Sequence, residues 1–143
     1  MEERLAAAGA SPVVMLVEDF ADTREMMRRV LESGGCRVLE AANGQEAIEL
    51  AQRERLDLIL MDLNMPVLDG FTATLRIREY EPTRDVPVVA VTAFDTAEFR
   101  AAATAVGCND YIVKPLDFER LSSILRHFLS RVVPPLAPTE GTA

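Results

Sequence analysis

Five short apolar runs, each followed by a helical pattern, are the feature of this sequence that most restricts its fold. Continuous runs occur at 13–17, 58–61 and 86–91, a shorter run at 111–113, and an alternating one at 36–40. Uninterrupted apolar runs are typical of parallel strands that are covered on both faces. A strand and a helix repeated five times predict an α/β fold with a parallel sheet, right-handed crossovers and helices on both faces.

The segments between these runs carry signals for the start and the end of helices. Gly34-Gly35 and Gly107 are expected to end the first and the fourth helix, because glycine tolerates the conformation that follows many helices. At three predicted starts a capping residue stands three positions before a glutamate, as in a capping box. These pairs are Asp22 with Glu25, Asn43 with Glu46, and Asp95 with Glu98.

Composition and charge narrow the class of protein. The 143 residues suit one domain, and with 49% hydrophobic and 27% charged residues the chain can form a core. The formal charge of −8 argues against binding to the phosphate backbone of nucleic acid. The acidic start is unlike a signal peptide, and no stretch approaches the roughly 20 apolar residues that span a bilayer. We therefore expect a soluble, cytoplasmic protein without a nucleic-acid or membrane partner.

The chain divides into one domain and two terminal segments. Residues 1–11 are expected to form a flexible arm, 12–131 the domain, and 132–143 a proline-rich tail, because proline cannot continue a helix. The two cysteines, Cys36 and Cys108, match neither a disulfide framework nor a metal-ligand spacing. We expect both to be free thiols.

Several charged positions are interpreted as solvated surface. His127, the only histidine, falls late in the last helical pattern and far from the strand ends. We interpret it as a surface residue and not as a phosphodonor. Arginines within the helical patterns are interpreted in the same way, namely Arg28, Arg29, Arg76 and Arg78.

Polar side chains stand where the predicted strands end. Glu18 and Asp19 follow the first strand, Asp62 ends the third, Thr92 the fourth and Lys114 the fifth. In an open α/β sheet the ligand site lies beyond the carboxyl ends of the strands. Three carboxylates, one hydroxyl and one ammonium are therefore expected to converge at one edge of the sheet.

The chemistry of this set favours a metal and a phosphoryl group. Three close carboxylates repel one another unless a cation neutralises them, and oxygen ligands that leave room for water suit Mg²⁺. A metal and a lysine beside one carboxylate would draw charge off a phosphoryl group while that carboxylate attacks as nucleophile. Lys114 is the only lysine among 15 lysine and arginine residues, which reflects either compositional drift or a place where a compact ammonium is needed.

Four motifs at successive strand ends resemble the receiver domain of two-component response regulators, over roughly residues 12–131. Each motif is weak alone, but the four together, in this order, are specific. The resemblance implies a flavodoxin-like (βα)5 three-layer sandwich with strand order 2-1-3-4-5, an order carried over from the family. It also implies a single-domain protein similar to chemotaxis regulators. The motifs are Val17-Glu18-Asp19-Phe20, Met61-Asp62-Leu63-Asn64-Met65-Pro66 with Asp69-Gly70, Val91-Thr92-Ala93, and Tyr111-Ile112-Val113-Lys114-Pro115.

The resemblance implies a role for each acid, for the lysine and for one backbone carbonyl. Asp62 is expected to be the phosphoacceptor and, with Glu18 and Asp19, to hold Mg²⁺ (or Mn²⁺). Asn64 would supply its backbone carbonyl as a further metal ligand. Lys114 would pair with the phosphoryl oxygens. Many family members have two aspartates in the first pair, and Glu18 is a common variant.

The resemblance also implies a conformational switch. Thr92 would hydrogen-bond the phosphoryl group, and Tyr111 would move inward as Thr92 shifts. The peptide bond before Pro115 is usually cis in the family. Phosphorylation would then bias a two-state equilibrium through contacts that form only in the active state.

The implied partners are proteins. The phosphoryl donor would be a phosphohistidine of a sensor histidine kinase or a histidine phosphotransfer protein. Output would pass to a downstream protein through the fourth helix, the fifth strand and the fifth helix, with no DNA-binding output domain. The chain would be a monomer or a weak dimer. It would act as a signalling switch and not as an enzyme, although it catalyses its own phosphotransfer and autodephosphorylation.

Three alternative functions remain open at this point. The sequence also fits a receiver domain excised from a hybrid histidine kinase. An aspartate-nucleophile phosphatase of the haloacid dehalogenase type uses Asp, Mg²⁺ and Lys as well, but Asn64 stands where that class needs a second aspartate. A flavin-binding module is disfavoured, because the acidic turn at Glu18-Asp19 lacks the small and hydroxyl residues that cradle a phosphate.

Overall fold

The computed structural model describes residues 11–65 and 68–129. The predicted arm, apart from Ser11, and the predicted tail at 132–143 lie outside the described residues. Pro66 of the second motif lies outside them as well. The remaining part of the predicted domain is covered almost completely.

Five strands and five helices alternate along the described residues. The strands are β1 (Val13–Val17), β2 (Arg37–Ala41), β3 (Leu58–Asp62), β4 (Val88–Thr92) and β5 (Asp110–Val113). The helices are α1 (Ala21–Ser33), α2 (Gly44–Arg53), α3 (Gly70–Glu79), α4 (Ala97–Ala105) and α5 (Phe118–Phe128). A short 3-10 helix at Glu81–Thr83 follows α3.

All five strands lie parallel in one sheet with the order β2-β1-β3-β4-β5. This confirms the flavodoxin-like order that the resemblance implied. β1 and β3 are neighbours in the centre, with Val17 opposite Met61. The residues that follow these two positions, Glu18 and Asp62, therefore emerge side by side at the carboxyl edge of the sheet.

Strand side chains alternate between two core layers. Leu58 and Leu60 of β3 belong to the layer that includes apolar residues of α1 and α5. Ile59 and Met61 belong to the layer that includes residues of α2, α3 and α4. All four side chains are fully buried, and burial of such a side chain contributes roughly 1.5–3 kcal/mol. The predicted three-layer sandwich is confirmed.

The predicted cap of α2 is confirmed. The side chain of Asn43 accepts a hydrogen bond from the backbone N–H of Glu46 at 2.9 Å. Oε1 of Glu46 in turn accepts the N–H of Ala42 at 2.8 Å. Two further caps, Asp69 at α3 and Asp117 at α5, were not recognised as caps from the sequence.

The predicted caps of α1 and α4 are wrong. α1 begins directly after Phe20, which offers no capping side chain, and Asp22 lies in the first turn, where its charge favours the positive helix end. α4 is capped by Thr96. The neighbouring Asp95 is engaged elsewhere, because its carboxylate pairs with Arg100 at 2.6 Å.

The predicted ends of the first and the fourth helix are confirmed. Gly34 follows α1 as its C-cap. Gly35 and Gly107 have φ values of 94° and 111°, a left-handed conformation that side chains with a Cβ rarely adopt. None of the described helices combines the length and apolar character that crossing a bilayer requires.

Arg78 is not the solvated residue that its position in a helical pattern predicted. Its Nη2 donates to the carbonyl of Gly107 and to Oδ1 of Asn109, both at 2.8 Å. Its Nη1 donates to the carbonyls of Arg84 at 3.0 Å and Val86 at 2.6 Å. Burial lowers the pKa of this guanidinium. Arg78 therefore joins the end of α3 to the segments before β4 and β5.

We predict that Arg78→Met lowers the free energy of unfolding by roughly 2–4 kcal/mol, because several half-buried acceptors lose a charged donor. Urea denaturation followed by circular dichroism measures the change. Arg76→Met, on the exposed side of the same helix, is the matched control and is expected to change stability by less than about 0.5 kcal/mol. Equal effects of the two substitutions would contradict this role of Arg78.

Candidate functional site

Three carboxylates meet at the carboxyl edge of the sheet. One ligand oxygen from each of Glu18, Asp19 and Asp62 lies within 4.8 Å of the others. Glu18 and Asp62 are almost fully buried, with 2% and 4% of their surface exposed, whereas Asp19 faces solvent. The structure thus brings together the three acids that the sequence predicted as metal ligands.

Backbone hydrogen bonds beyond the strand ends hold this edge together. The N–H of Glu18 donates to the carbonyl of Ala41 at 3.0 Å, and the N–H of Leu63 to that of Val91 at 3.3 Å. The parallel ladder therefore continues past β1 and β3 into the residues of the site. The sheet thus fixes the backbone of Glu18 and Asp62 directly.

Gly70 lets α3 begin against the end of β3. A Cβ at this position would lie 2.3 Å from the backbone oxygen of Asp62 and 2.7 Å from Cα of Leu63. No real side chain tolerates the first distance, so glycine is required here. This explains in physical terms why the second motif includes Gly70.

Lys114 contacts both buried acids. Its Nζ lies 3.0 Å from Oε1 of Glu18 and 3.6 Å from Oδ2 of Asp62. Burial lowers the pKa of Lys114, but the hydrogen bond to Glu18 and the charge of Asp62 outweigh this effect, so the pKa stays above its ordinary value. The peptide bond between Lys114 and Pro115 is cis, as the resemblance implies.

Asp62 is held in an environment that disfavours its charge. Burial, together with the negative charges of Glu18 and Asp19, raises the pKa of Asp62 to about 6. The N–H of Asn64, which donates to Oδ1 at 3.0 Å, and the ammonium of Lys114 act in the opposite direction. The positive groups present therefore do not fully compensate the burial and repulsion.

The donor set fits a hard divalent cation. Carboxylate oxygens at this spacing are ligands that Mg²⁺ and Mn²⁺ accept, and the exposed Asp19 leaves room for water in the coordination shell. A cation would also supply the missing positive charge beside Asp62. Asn64 is exposed directly after β3. The role of its backbone carbonyl as a ligand stays a prediction.

The predicted switch residues are linked through one residue between them. Thr92 is buried, and its Oγ1 accepts the N–H of Phe94 at 3.2 Å. Tyr111 is also buried, and its hydroxyl donates to the carbonyl of the same Phe94 at 2.5 Å. Burial raises the pKa of the Tyr111 hydroxyl. Tyr111 thus occupies an inward position, while its movement stays a prediction.

Two arginines near the site were missed from the sequence. Arg100 lies with its guanidinium carbon 4.6 Å from the centre of the Tyr111 ring and pairs with Asp95. Arg24 donates from Nη1 to the backbone carbonyl of Glu18 at 2.8 Å. The sequence offered one signal for these two arginines, namely that each lies within one or two helical turns of a motif.

The residues interpreted as lying apart from the site do so. Cys36 and Cys108 are free, buried thiols, and burial raises the pKa of each to about 11. His127 is exposed in the last turn of α5, where its ring lies 4.7 Å from that of Phe128. Both predictions are confirmed.

Comparison with known proteins assigns the chain to a family. The family profile described as "Response regulator receiver domain" matches residues 14–126. The chain is 34% identical over 116 residues to the polar-differentiation response regulator DivK of Brucella anthropi, an alignment that covers 81% of this chain and 94% of DivK. This protein therefore belongs to the response regulator receiver domains of two-component signalling.

Two solved structures extend this similarity. The receiver domain of the sensor histidine kinase PA1611 from Pseudomonas aeruginosa PAO1 has a magnesium ion coordinated in its active site cleft. It is 39% identical, with a TM-score of 0.79 and coverage of 85% of this chain and 99% of that one. The receiver domain of Ssk1 from Saccharomyces cerevisiae, crystallised with the histidine phosphotransfer protein Ypd1, is 31% identical. Its TM-score is 0.78, with coverage of 83% and 89%.

The raised pKa of Asp62 predicts an effect of pH on stability. The folded protein holds this proton more tightly than the unfolded chain, whose carboxyl titrates near 3.8. The contribution of Asp62 to the free energy of unfolding is therefore largest below that value and falls as the pH rises to about 6. Asp62→Asn removes the ionisable carboxyl and with it this loss of stability.

We expect Asp62→Asn to stabilise the metal-free protein by roughly 1–3 kcal/mol near neutral pH, with a smaller gain in mildly acidic buffer. Urea denaturation in EDTA at a series of pH values measures the difference. Asp22→Asn, which removes an exposed acid, is the control and should show little effect. A mutant no more stable than wild type at neutral pH would show that Asp62 is not destabilising.

Proposed function

We propose that this receiver domain accepts a phosphoryl group on Asp62, from a phosphohistidine of a sensor histidine kinase or a histidine phosphotransfer protein. The observation that carries the proposal is the position of the Asp62 carboxylate, buried between two further acids and 3.6 Å from the ammonium of Lys114. Three carboxylates this close destabilise the fold unless a cation neutralises them, and a cation beside a carboxylate is what phosphoryl transfer to that carboxylate requires.

The proposed transfer is an in-line displacement. A carboxylate oxygen of Asp62 attacks phosphorus, the P–N bond of the phosphohistidine breaks, and the imidazole leaves with a proton from solvent. With its pKa at about 6, Asp62 is mostly ionised at neutral pH and available as nucleophile. The N–H of Asn64 fixes Oδ1 at 3.0 Å and so orients the carboxylate. Such a reaction needs positioning and charge neutralisation above all.

Glu18, Asp19 and Asp62 would hold Mg²⁺, or Mn²⁺, and that ion would neutralise phosphoryl oxygens as charge develops on them. The magnesium ion in the cleft of the PA1611 receiver domain supports this assignment. The ammonium of Lys114, which now pairs with Glu18, would also form an ion pair with an oxygen of the phosphoryl group. This ammonium already lies between the two buried acids.

The readout would travel through Thr92 and Tyr111 to the surface formed by α4, β5 and α5. Both side chains bind the peptide groups of Phe94, so a hydrogen bond from Thr92 to a phosphoryl oxygen would change what Tyr111 contacts. The α4–β5–α5 surface would then present a different face to a downstream protein. The chain would be a signalling switch and not an enzyme acting on external substrates.

Other parts of the proposal rest on the comparisons and on charge. The complex of the Ssk1 receiver domain with Ypd1 supports a histidine phosphotransfer partner. DivK supports a free-standing regulator, whereas the PA1611 receiver domain supports the alternative of a domain from a hybrid kinase. The charge of −8 disfavours nucleic acid as a partner. A cytoplasmic location and a monomer or weak dimer complete the proposal.

Incubation with Mg²⁺ and acetyl phosphate tests the proposed chemistry. We expect one added phosphoryl group by mass spectrometry, labile to base, absent in Asp62→Asn and absent in EDTA. Asp22→Asn, with the same change of charge on the exposed surface, should be phosphorylated like wild type. Sustained hydrolysis of phosphate esters would instead support the aspartate-nucleophile phosphatase, although Asn64 stands where that class carries its second aspartate.

Lys114→Arg tests whether the only lysine of the chain is required. The substitution keeps the charge, but it replaces the compact ammonium that lies near Glu18 and Asp62 by a planar guanidinium with a fixed fork of donors. We expect a folded protein whose rate of phosphorylation by acetyl phosphate, or whose binding to a downstream partner, is reduced at least about tenfold, equivalent to 1.4 kcal/mol. Normal phosphorylation and partner binding would show that lysine at this position is compositional drift.

A further inference from the structure

We propose that Arg24 positions the metal-binding acids Glu18 and Asp19 by holding the peptide group that joins them. This inference rests on the proposed function, because it assigns a supporting residue to the same cation site. Arg24 belongs to α1, and its contact with the site is to the backbone carbonyl of Glu18, not to a carboxylate that would bind the cation. It would act through Glu18 and Asp19 and is therefore a positioning residue.

The guanidinium of Arg24 spans two elements next to the site. Its Nη1 donates to the backbone carbonyl of Glu18 at 2.8 Å, directly after β1. Its Nε donates to Oε1 of Glu40 on β2 at 3.0 Å. The Arg24 side chain is 20% exposed, and its bond to the Glu18 carbonyl is partly buried, whereas the bond to Glu40 faces solvent. A partly desolvated hydrogen bond from a charged donor is worth more than one at the surface.

Arg24 completes the fixation of the Glu18 backbone. The N–H of Glu18 is held by the carbonyl of Ala41, and its carbonyl is held by Arg24. The carboxylate of Glu18 has supports of its own, namely the ammonium of Lys114 and the N–H of Phe20. Glu18 is thus fixed at every polar group that it has.

Asp19 depends on this arrangement more than Glu18 does. No hydrogen bond or ion pair joins its exposed side chain to another residue that the structure describes. Its carboxylate is placed only by the backbone, and the peptide that leads into Asp19 is the one whose oxygen Arg24 binds. Rotation of that peptide would move Asp19 relative to Asp62.

Glu40 orients Arg24 in turn. One oxygen of Glu40 accepts a hydrogen bond from Arg24, and the other forms an ion pair with Nε of Arg28 at 3.1 Å, one helical turn further along α1. The carboxylate is therefore shared by two arginines on the same helix face. Arg24 uses two nitrogens of one planar group for two acceptors at once, which a lysine with a single nitrogen reproduces poorly.

A pure charge effect and a positioning role predict opposite changes in Mg²⁺ affinity when Arg24 is removed. Loss of a positive charge near an acidic site should strengthen the binding of Mg²⁺, because less repulsion opposes the cation. Loss of a residue that positions the ligands should weaken it, as is typical when partners of metal ligands are mutated. The sign of the change therefore separates a positioning role from a simple charge effect.

Isothermal titration calorimetry with MgCl₂ is the test, on wild type, Arg24→Met, Arg24→Lys and the matched control Arg29→Met. Arg29 lies on the same helix, is exposed, and pairs only with Glu25 in the described structure, so its loss changes the charge equally. We expect about tenfold weaker binding for Arg24→Met, an intermediate value for Arg24→Lys, and unchanged or slightly tighter binding for Arg29→Met.

A second measurement separates positioning from a general loss of structure. The Mg²⁺ dependence of phosphorylation by acetyl phosphate should move to higher concentration in Arg24→Met, while the rate at saturating Mg²⁺ stays near that of wild type. Circular dichroism in EDTA checks that the variants are folded at the assay temperature. A lower rate at all Mg²⁺ concentrations, with unchanged affinity in calorimetry, would overturn the inference.

The possible outcomes are distinguishable. A wild-type protein that does not bind Mg²⁺ overturns the proposed function and this inference with it. Wild-type binding together with equal affinities of Arg24→Met and Arg29→Met overturns only the positioning role. If Arg24→Met does not fold, Arg24→Lys decides, since it keeps the charge: weaker Mg²⁺ binding supports the role, and wild-type affinity overturns it.

Discussion

Electrostatic repulsion among three carboxylates is the constraint on which the rest of the site depends. Glu18, Asp19 and Asp62 are held within reach of one cation by a sheet whose hydrogen bonds continue past the strand ends. Lys114 pairs with both buried acids, yet the pKa of Asp62 still lies at about 6. The fold thus holds an unbalanced negative charge at one edge, and a binding cation would relieve that repulsion.

The same edge is connected mechanically to the surface between α4 and β5. The N–H of Phe94 donates a hydrogen bond to Thr92, and the carbonyl of Phe94 accepts one from Tyr111. Arg100 covers the Tyr111 ring and is itself anchored by Asp95 in the same loop. A change at Thr92 therefore acts on a compact set of contacts, and such sets tend to have discrete alternative arrangements. Under the proposed function, these contacts would carry a small displacement at Thr92 to an exposed face.

Much of the fold and most of the site were predictable from sequence, because their signals are local. Apolar runs fix the strands, and the rule that ligands bind beyond the carboxyl ends brings Asp62 and Lys114 together. The strand order came from the family resemblance. Competition between side chains could not be predicted: Asp95 caps no helix because Arg100 takes its carboxylate. Arg78 was misread for a similar reason, since its acceptors lie up to 31 positions away in the chain.

The single lysine has a consequence for how this protein can be observed. Lys114 is the only residue of its type among 143, and its ammonium lies 3.0 Å from Glu18 inside the acid cluster. Isotopic labelling of lysine alone would therefore yield one side-chain resonance, without assignment work, from the centre of the site. The chemical shift of the labelled Nζ of Lys114 would then report which anion the ammonium contacts.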